Sequence, residues 1–169
     1  MRSNADEMAF VALGSNLDDP AAMVRRALER LQTLSDAPLL RSSLWQTEPV
    51  DCPPGSPPFV NAVAGLRPRA EETPQSLLSQ LQILEQEFGP RPRRMRNEPR
   101  RLDLDLIAFG ARVVRGPDLV LPHPRAHLRR FVLAPLAEIA PDFVLPGQAG
   151  SAAELLRALS NIDMARRLE

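Results

Sequence analysis

The sequence contains no lysine and no tyrosine, one cysteine and one tryptophan. Without lysine there is no Schiff-base catalyst and no P-loop lysine. Any phosphate group must therefore be bound by guanidinium groups or by backbone N–H groups. The one cysteine, Cys52, excludes an intrachain disulfide and a zinc site of clustered thiolates. The absence of tyrosine also leaves few aromatic rings on which nucleic-acid bases could stack.

The chain also lacks net charge and any long apolar run. Its 21 basic and 21 acidic residues balance, which disfavours a protein that coats nucleic acid or an anionic membrane. No apolar run approaches the roughly 18 residues that a membrane-spanning helix needs, and the run at 8–14 is too short for a signal peptide. We expect a soluble, cytoplasmic, monomeric protein with no membrane or nucleic-acid partner, forming one domain over 1–169.

Hydrophobic spacing predicts alternating strands and helices. The predicted strands are 8–14, 38–47, 59–66 and 102–109. The predicted helices are 20–34, 73–88, 130–139 and 152–160. The order of the first six elements is the split βαβ pattern of ferredoxin-like folds. We therefore expect an α+β fold: a βαββαβ core, an antiparallel-containing sheet with helices on one face, and added C-terminal helices.

Local signals refine this prediction at three places. Asp18 or Asp19 is available to cap the first helix, and Thr73 followed by Pro74 is typical of the start of the second. The segment near Val113–Val114 is a possible hairpin partner of the fourth strand.

Asp103 and Asp105 are the most specific local signal. Two residues apart on a strand, both carboxylates point to one face, with Cβ atoms roughly 6.5–7 Å apart. Leu102, Leu104 and Leu106 alternate with them and face the core. Carboxylate oxygens suit Mg²⁺, and a pair of ions can share such groups. The alternative is an exposed strand face that is acidic by chance.

An arginine-rich segment at 89–101 leads directly into this acidic strand. It holds six arginines, three prolines and one acid. Alone, such a segment could be a solvated surface. Beside an acidic pair it suits a metal–polyphosphate complex, in which the metal bridges some oxygens and arginines bind the others. Its charge also leads us to expect that it orders over a bound nucleotide.

The two histidines allow two interpretations. His123 and His127 lie four apart, as some metal ligands do, but no HExxH motif is present and prolines flank His123. We interpret His123 instead as a donor to a phosphate oxygen or as a locally satisfied loop residue. A ferredoxin-like nucleic-acid module that uses the arginine segment is a separate alternative, which the scarcity of aromatic residues disfavours.

Several segments together resemble one protein family. They are LGSNL at 13–17, SSLWQTEPV at 42–50, FVNAV at 59–63, RRLDLDLIAFG at 100–110, LPHPR at 121–125 and RRFVLAPLAEIAP at 129–141. Their order and spacing are similar to those of the 6-hydroxymethyl-7,8-dihydropterin pyrophosphokinases, and the similarity spans residues 8 to about 145.

The resemblance implies a reaction and a set of site residues. The reaction is transfer of the β,γ-pyrophosphoryl group of ATP to the hydroxymethyl group of the pterin, giving AMP, in folate biosynthesis. Asp103 and Asp105 would hold two Mg²⁺ ions and act in catalysis with Arg96 and Arg100. The implied nucleotide-binding residues are Gln82, Glu85, Arg91, Arg93, Arg96, Arg100, Leu106, His123 and Arg129. The implied pterin-binding residues are Thr47, Val50, Phe59, Asn61, Asp103 and Phe131.

The chain departs from the family pattern in the arginine segment. Asn97–Glu98–Pro99–Arg100 stands where many relatives have Trp-Gly-Pro-Arg, and Pro124 replaces a tyrosine. These changes leave open a further alternative, a silent relative that binds ATP without turnover.

Overall fold

The structure is a computed structural model that describes residues 8–48, 54–89, 102–159 and 165–168. Eight strands lie within these ranges: β1 (Ala9–Ser15), β2 (Leu40–Arg41), β3 (Trp45–Thr47), β4 (Phe59–Leu66), β5 (Asp103–Phe109), β6 (Val114–Arg115), β7 (Val120–Leu121) and β8 (Ala165–Arg167). The α-helices of these ranges are α1 (Pro20–Gln32), α2 (Pro74–Glu87), α3 (Arg130–Ile139) and α4 (Ala152–Ala158).

The main sheet is antiparallel, with the strand order β5-β1-β4-β3-β8, and β2 also pairs with β4. The two long strands β1 and β4 are therefore central. This arrangement confirms the predicted α+β fold with a βαββαβ core, formed by β1, α1, β3, β4, α2 and β5.

Strand β1 is buried along its whole length, because helices cover both of its faces. Val11 and Leu13 point into the core under α1 and α2, whereas Phe10 and Ala12 point into a second core under α3 and α4. The prediction of helices on one face therefore holds for α1 and α2 alone. The apolar residues of α3, including Val132 and Leu136, bury the opposite face of the sheet.

Both long helices begin at the predicted caps. The carboxylate of Asp19 accepts a hydrogen bond from the Ala22 N–H, with Pro20 at the first turn. Thr73 accepts from the Ser76 N–H and the Ser76 hydroxyl accepts from the Thr73 N–H, a reciprocal capping box. Each such cap stabilises a helix by about 1 kcal/mol, so the sequence determines where these helices start.

The predicted strand 38–47 is wrong as one element and is two short strands, β2 and β3. The interruption falls at Ser42, whose hydroxyl accepts the Val63 N–H at 2.9 Å while its own N–H donates to the Val63 carbonyl at 3.0 Å. The Ser42 hydroxyl thus takes the place of a backbone carbonyl as acceptor in the hydrogen-bond ladder between the strands. The predicted hairpin of Val113–Val114 with the fourth strand is also wrong, because β6 pairs with β7.

Strand β8 was not predicted from the sequence. Its residues Ala165–Arg167 pair antiparallel with β3 and extend the sheet beyond the four-stranded core. A segment that reads Ala-Arg-Arg has no alternating apolar pattern, so its pairing depends on the exposed edge of β3 rather than on a buried face of its own.

Candidate active site

Eight of the sixteen predicted site residues lie at one end of the sheet, on the face that α3 and α4 partly cover: Thr47, Phe59, Asn61, Asp103, Asp105, His123, Arg129 and Phe131. Gly14 of β1 lies opposite Asn61 of β4 and opposite Asp103 of β5. Neighbouring strands are about 4.8 Å apart, so Asn61 and Asp103 flank Gly14 at a separation of roughly 10 Å. We call this end of the sheet, with Gly14, Asn61, Asp103 and Asp105, the open face.

Gly14, at the centre of this open face, is closely approached by a neighbouring side chain. A Cβ atom at position 14 would lie 3.1 Å from Oδ1 of Asn61, closer than ordinary van der Waals contact. The absence of a side chain at Gly14 therefore leaves room for the carboxamide of Asn61 and keeps the surface between Asn61 and Asp103 flat.

The paired aspartates lie on this face as the sequence predicted. Asp103 pairs with Gly14 and Asp105 with Ala12, and both are partly exposed. Leu102, Leu104 and Leu106 point to the other side and are buried. Among the residues that the structure describes, no group of three or more carboxylates, histidines or thiols could hold a metal ion. Magnesium, however, commonly takes only one or two protein carboxylates and completes its shell with substrate phosphates and water. The two aspartates therefore fit such an ion.

His123 is a neutral donor at the edge of the open face. Its backbone N–H donates to the Ile107 carbonyl at 2.8 Å, which ties the loop to β5. Its Nδ1 accepts the Arg125 N–H at 3.1 Å, which assigns the proton to Nε2. Burial lowers the pKa of His123 below its usual value, and the charges of Arg129 and Arg125 lower it further, against an opposing effect of Asp103. The Nε2–H can thus donate to an anion without the ring being charged.

Arg129 and Phe131 lie where α3 begins, beside His123. The Arg129 guanidinium lies over the Phe131 ring, 5.4 Å from its centroid. Phe131 is partly buried against the core under α3 and α4. Arg129 is predicted to bind the nucleotide and Phe131 to bind the pterin, so residues predicted for the two substrates are adjacent.

The polar residues of β3 and β4 form a fixed pair. Asn61 and Thr47 are both buried, and Asn61 Nδ2 donates to Thr47 Oγ1 at 2.7 Å. This bond orients the carboxamide so that Oδ1 faces Gly14. Phe59 lies opposite Thr47 in the β3–β4 pairing and is partly exposed on the same face. Together they present an acceptor oxygen beside an aromatic ring.

The remaining predicted nucleotide residues lie on the other side of β5. Gln82 and Glu85 belong to α2, and Leu106 faces the core beneath that helix. Gln82 is exposed, whereas only 8% of Glu85 is exposed. A glutamate on the polar side of a helix is expected at the surface, and Glu85 is instead buried. A group that contacts both this set and the aspartates must pass around β5, an edge strand among the described residues.

Five predicted site residues lie outside the described residues. They are Val50, Arg91, Arg93, Arg96 and Arg100. Their assignments remain predictions from the sequence.

Glu138 makes three hydrogen bonds in this region and was not among the site residues predicted from the sequence. Its Oε1 accepts from the Ser43 N–H at 2.6 Å and from the Ser43 hydroxyl at 2.7 Å, and its Oε2 accepts from Trp45 Nε1 at 3.2 Å. The helical period could have indicated Glu138, because it follows the predicted pterin residue Phe131 by seven residues and so lies on the same side of α3.

A separate cleft lies at the opposite end of the sheet. It has a volume of about 1060 Å³ and is lined by residues that include Arg67, Arg69, Phe109 and Arg112. Arg69 forms an exposed ion pair with Asp36 at 3.7 Å. The cleft contains none of the predicted site residues, and its two acidic residues are already engaged: Asp36 pairs with Arg69, and the Glu72 carboxylate accepts hydrogen bonds from Ser76 and Gln80. We therefore assign the chemistry to the open face.

Comparisons with known proteins identify the family of this chain. Residues 10–141 match the family model of 7,8-dihydro-6-hydroxymethylpterin-pyrophosphokinase. A 2-amino-4-hydroxy-6-hydroxymethyldihydropteridine pyrophosphokinase of Haemophilus influenzae is 41% identical over 139 residues, which are 82% of this chain and 84% of that protein. The enzyme of the same name from Pseudomonas aeruginosa is 41% identical over 141 residues, 83% of this chain and 85% of that protein.

Solved structures show the same fold. A crystal structure of HPPK-DHPS in complex with substrates superposes with a TM-score of 0.69 at 12% identity, over 89% of this chain and 44% of that chain. Wild-type HPPK-DHPS of Plasmodium falciparum gives a TM-score of 0.68 at 12% identity, over 89% of this chain and 44% of that chain. The present chain thus spans less than half of these solved chains. Within its described residues, no helix is long and apolar enough to cross a membrane.

Proposed function

The chain belongs to the 7,8-dihydro-6-hydroxymethylpterin-pyrophosphokinase family, and we propose that it performs this family's reaction at the open face. It is an ATP-dependent diphosphokinase of folate biosynthesis. The transfer moves pyrophosphate from ATP to the hydroxymethyl group of 6-hydroxymethyl-7,8-dihydropterin. The products are AMP and the pterin diphosphate.

One observation carries the proposal. The paired aspartates and the Asn61–Thr47 pair share the open face on either side of Gly14. A metal-bound polyphosphate at the aspartates would therefore lie within one small molecule's length of a ring bound at Asn61. Positioning of this kind supplies most of what phosphoryl transfer needs.

The pterin-binding residues are proposed from the chemistry of the groups that line the open face. The ring edge of a pterin carries N–H donors, and Asn61 Oδ1 is an acceptor held in place by Thr47. Phe59 and Phe131 supply aromatic surface on the strand side and the helix side of the open face. Each stacked ring contributes roughly 0.5–1.5 kcal/mol beyond burial. We call Thr47, Phe59, Asn61 and Phe131 the pterin subsite, with Val50 and Asp103 as its proposed neighbours.

Asp103 and Asp105 would hold Mg²⁺, and we propose two ions. The metal would neutralise charge that develops on the phosphates. The two carboxylates project from a strand whose alternate leucines are buried, so the face to which they point is fixed before substrate arrives. The hydroxymethyl oxygen forms a bond to the β-phosphorus, the bond from that phosphorus to the α,β-bridging oxygen breaks, and AMP leaves. The hydroxyl proton is lost to water.

The nucleotide is proposed to bind around strand β5. On the open face, His123 Nε2–H and the Arg129 guanidinium are donors for phosphate oxygens. On the α2 side, Gln82, Glu85 and Leu106 would contact the rest of the nucleotide. The arginines of the 89–101 segment are proposed to complete the phosphate site and exclude water. We further propose a monomeric, cytoplasmic enzyme whose partners are these two substrates.

The test is a product assay with labelled ATP. The chain is incubated with Mg²⁺, the pterin alcohol and ATP labelled separately at the β- and γ-phosphates. We expect AMP and pterin diphosphate in equal amounts, with both labels in the pterin product. Asp142→Asn, at an exposed aspartate in the turn that follows α3, serves as an active control. Formation of ADP would refute the proposal, and so would the absence of pterin-dependent AMP. If AMP is absent but ATP still binds, the chain is a silent relative.

A further inference from the structure

The carboxylate of Glu138 links two separate elements that border the pterin subsite. It lies near the end of α3, and its three hydrogen bonds go to Ser43 and Trp45, more than 90 residues earlier in the chain. Both of its oxygens are used, Oε1 by Ser43 and Oε2 by the indole N–H. The three hydrogen bonds therefore define the position of the carboxylate relative to Ser43 and Trp45, which a single surface ion pair would not do.

Each end of this connection leads to a residue of the pterin subsite. Glu138 and Phe131 are seven residues apart, two turns on the same side of α3 and about 10.5 Å along its axis. Trp45 and Thr47 are two residues apart in β3 and point to the same side of the sheet. Trp45 pairs with Asn61, and Thr47 orients the Asn61 amide. The Glu138 contacts thus join the element that carries Phe131 to the element that fixes Asn61.

The attachment of α3 to the sheet does not itself depend on Glu138. Val132 and Leu136 are buried on the sheet with Phe10 and Val63, whereas Glu138 is exposed. Apolar packing is non-directional and allows small shifts of a helix along the sheet. Charge-assisted hydrogen bonds of fixed geometry resist such shifts.

We propose that Glu138 is a positioning residue for the pterin subsite: it fixes α3 against β3 and so sets the spacing between Phe131 and the Asn61 amide. This inference rests on the proposed function, because it takes the pterin as the ligand of that subsite. Glu138 does not touch the substrate. It acts through the placement of Phe131 and of Trp45.

The test compares Glu138→Ala and Glu138→Gln with the wild-type chain. Trp45 is the chain's only tryptophan, so intrinsic fluorescence reports directly on the Glu138 contact. For the alanine variant we expect a changed Trp45 emission, an approximately tenfold higher Kd for the pterin and an ATP Kd within twofold of wild type. The glutamine variant keeps one acceptor oxygen and should recover most of the pterin affinity. Glu72→Gln is the matched control, since Glu72 accepts the Ser76 hydroxyl at 2.8 Å on α2.

Two results would overturn the inference. One is an unchanged pterin Kd despite a changed Trp45 emission, which would separate the contact from the subsite. The other is an equal loss of pterin and ATP affinity with a lowered Tm, which would make Glu138 a purely structural residue. If the wild-type chain binds the pterin but forms no AMP, the proposed reaction fails and the Glu138 comparison still stands. If the wild-type chain does not bind the pterin, both proposals fail.

Discussion

Two carboxylates two residues apart are the smallest unit on which the proposed reaction depends. We expect Asp103→Asn and Asp105→Asn to lower kcat by about a thousandfold or more, since each removes a charged metal ligand worth several kcal/mol in the transition state. Both side chains are partly exposed and their leucine neighbours carry the packing, so the Tm should change little. Steady-state assays at saturating Mg²⁺ measure the effect. A variant that keeps more than a tenth of wild-type activity would contradict the metal assignment.

A second residue-scale prediction concerns the acid side of the stability profile. Burial holds the pKa of His123 below its ordinary value, so the unfolded chain binds a proton at this group more readily than the native chain does. The unfolding free energy should therefore rise with pH between the lowered native pKa and the unfolded value near 6.5. His123→Asn should flatten that part of the profile. Denaturant titrations from pH 5 to 8 measure this difference.

The same prediction can be checked without a variant. The chain has only two histidines, His123 and His127, so their ring proton resonances are readily assigned and followed in an NMR titration. A titration midpoint for His123 at or above pH 6.5 would contradict its proposed role as a neutral donor protonated at Nε2.

At the scale of elements, the close approach of β1 and β4 fixes the geometry of the open face. Gly14→Ala would place a methyl group 3.1 Å from Asn61 Oδ1, and the carboxamide must then move by a few tenths of an ångström. We expect a several-fold rise in the pterin Kd and a retained fold. Gly116→Ala is the control, because its Cβ would meet the Leu119 carbonyl at an ordinary 3.5 Å. Calorimetric pterin affinities equal to wild type would show that Asn61 does not read the ligand.

Elements with strong local signals were predictable from the sequence. Strand β4 and helix α3 have the predicted bounds, since an apolar run and a helical period leave one buried arrangement for each. The break at Ser42 could not be predicted, because it depends on a hydroxyl that meets Val63 of another strand. Strand β8 likewise depends on the edge of β3.

The candidate site divides in the same way. The common face of Asp103 and Asp105 follows from strand alternation, so local sequence predicts it. The burial of Glu85 and the Glu138 contacts arise from tertiary packing that spacing along the chain does not encode. The family resemblance supplied residue roles, but not which side of β5 each residue occupies.

At the scale of the whole molecule, the sheet separates the α2 side of the proposed nucleotide site from the pterin subsite. Gln82 lies on the α2 side, and Phe131 lies on the opposite face with the pterin subsite. Residues on opposite faces of a sheet that share no partner usually contribute independently to binding free energies. The bound triphosphate, which passes around β5 in our proposal, would be the only link between them.

This separation predicts the outcome of a double-mutant cycle. Gln82→Ala should raise the ATP Kd several-fold and leave the pterin Kd, measured with a saturating non-hydrolysable ATP analogue, within twofold. Phe131→Ala should raise the pterin Kd by roughly 2–12-fold, the equivalent of one aromatic stack, and leave the ATP Kd within twofold. The double variant should show both losses unchanged, because the proposal places neither side chain in contact with the other's ligand. A departure from the product of the single effects by more than about fivefold would place Gln82 and Phe131 in one pocket, and the nucleotide would then not pass around β5.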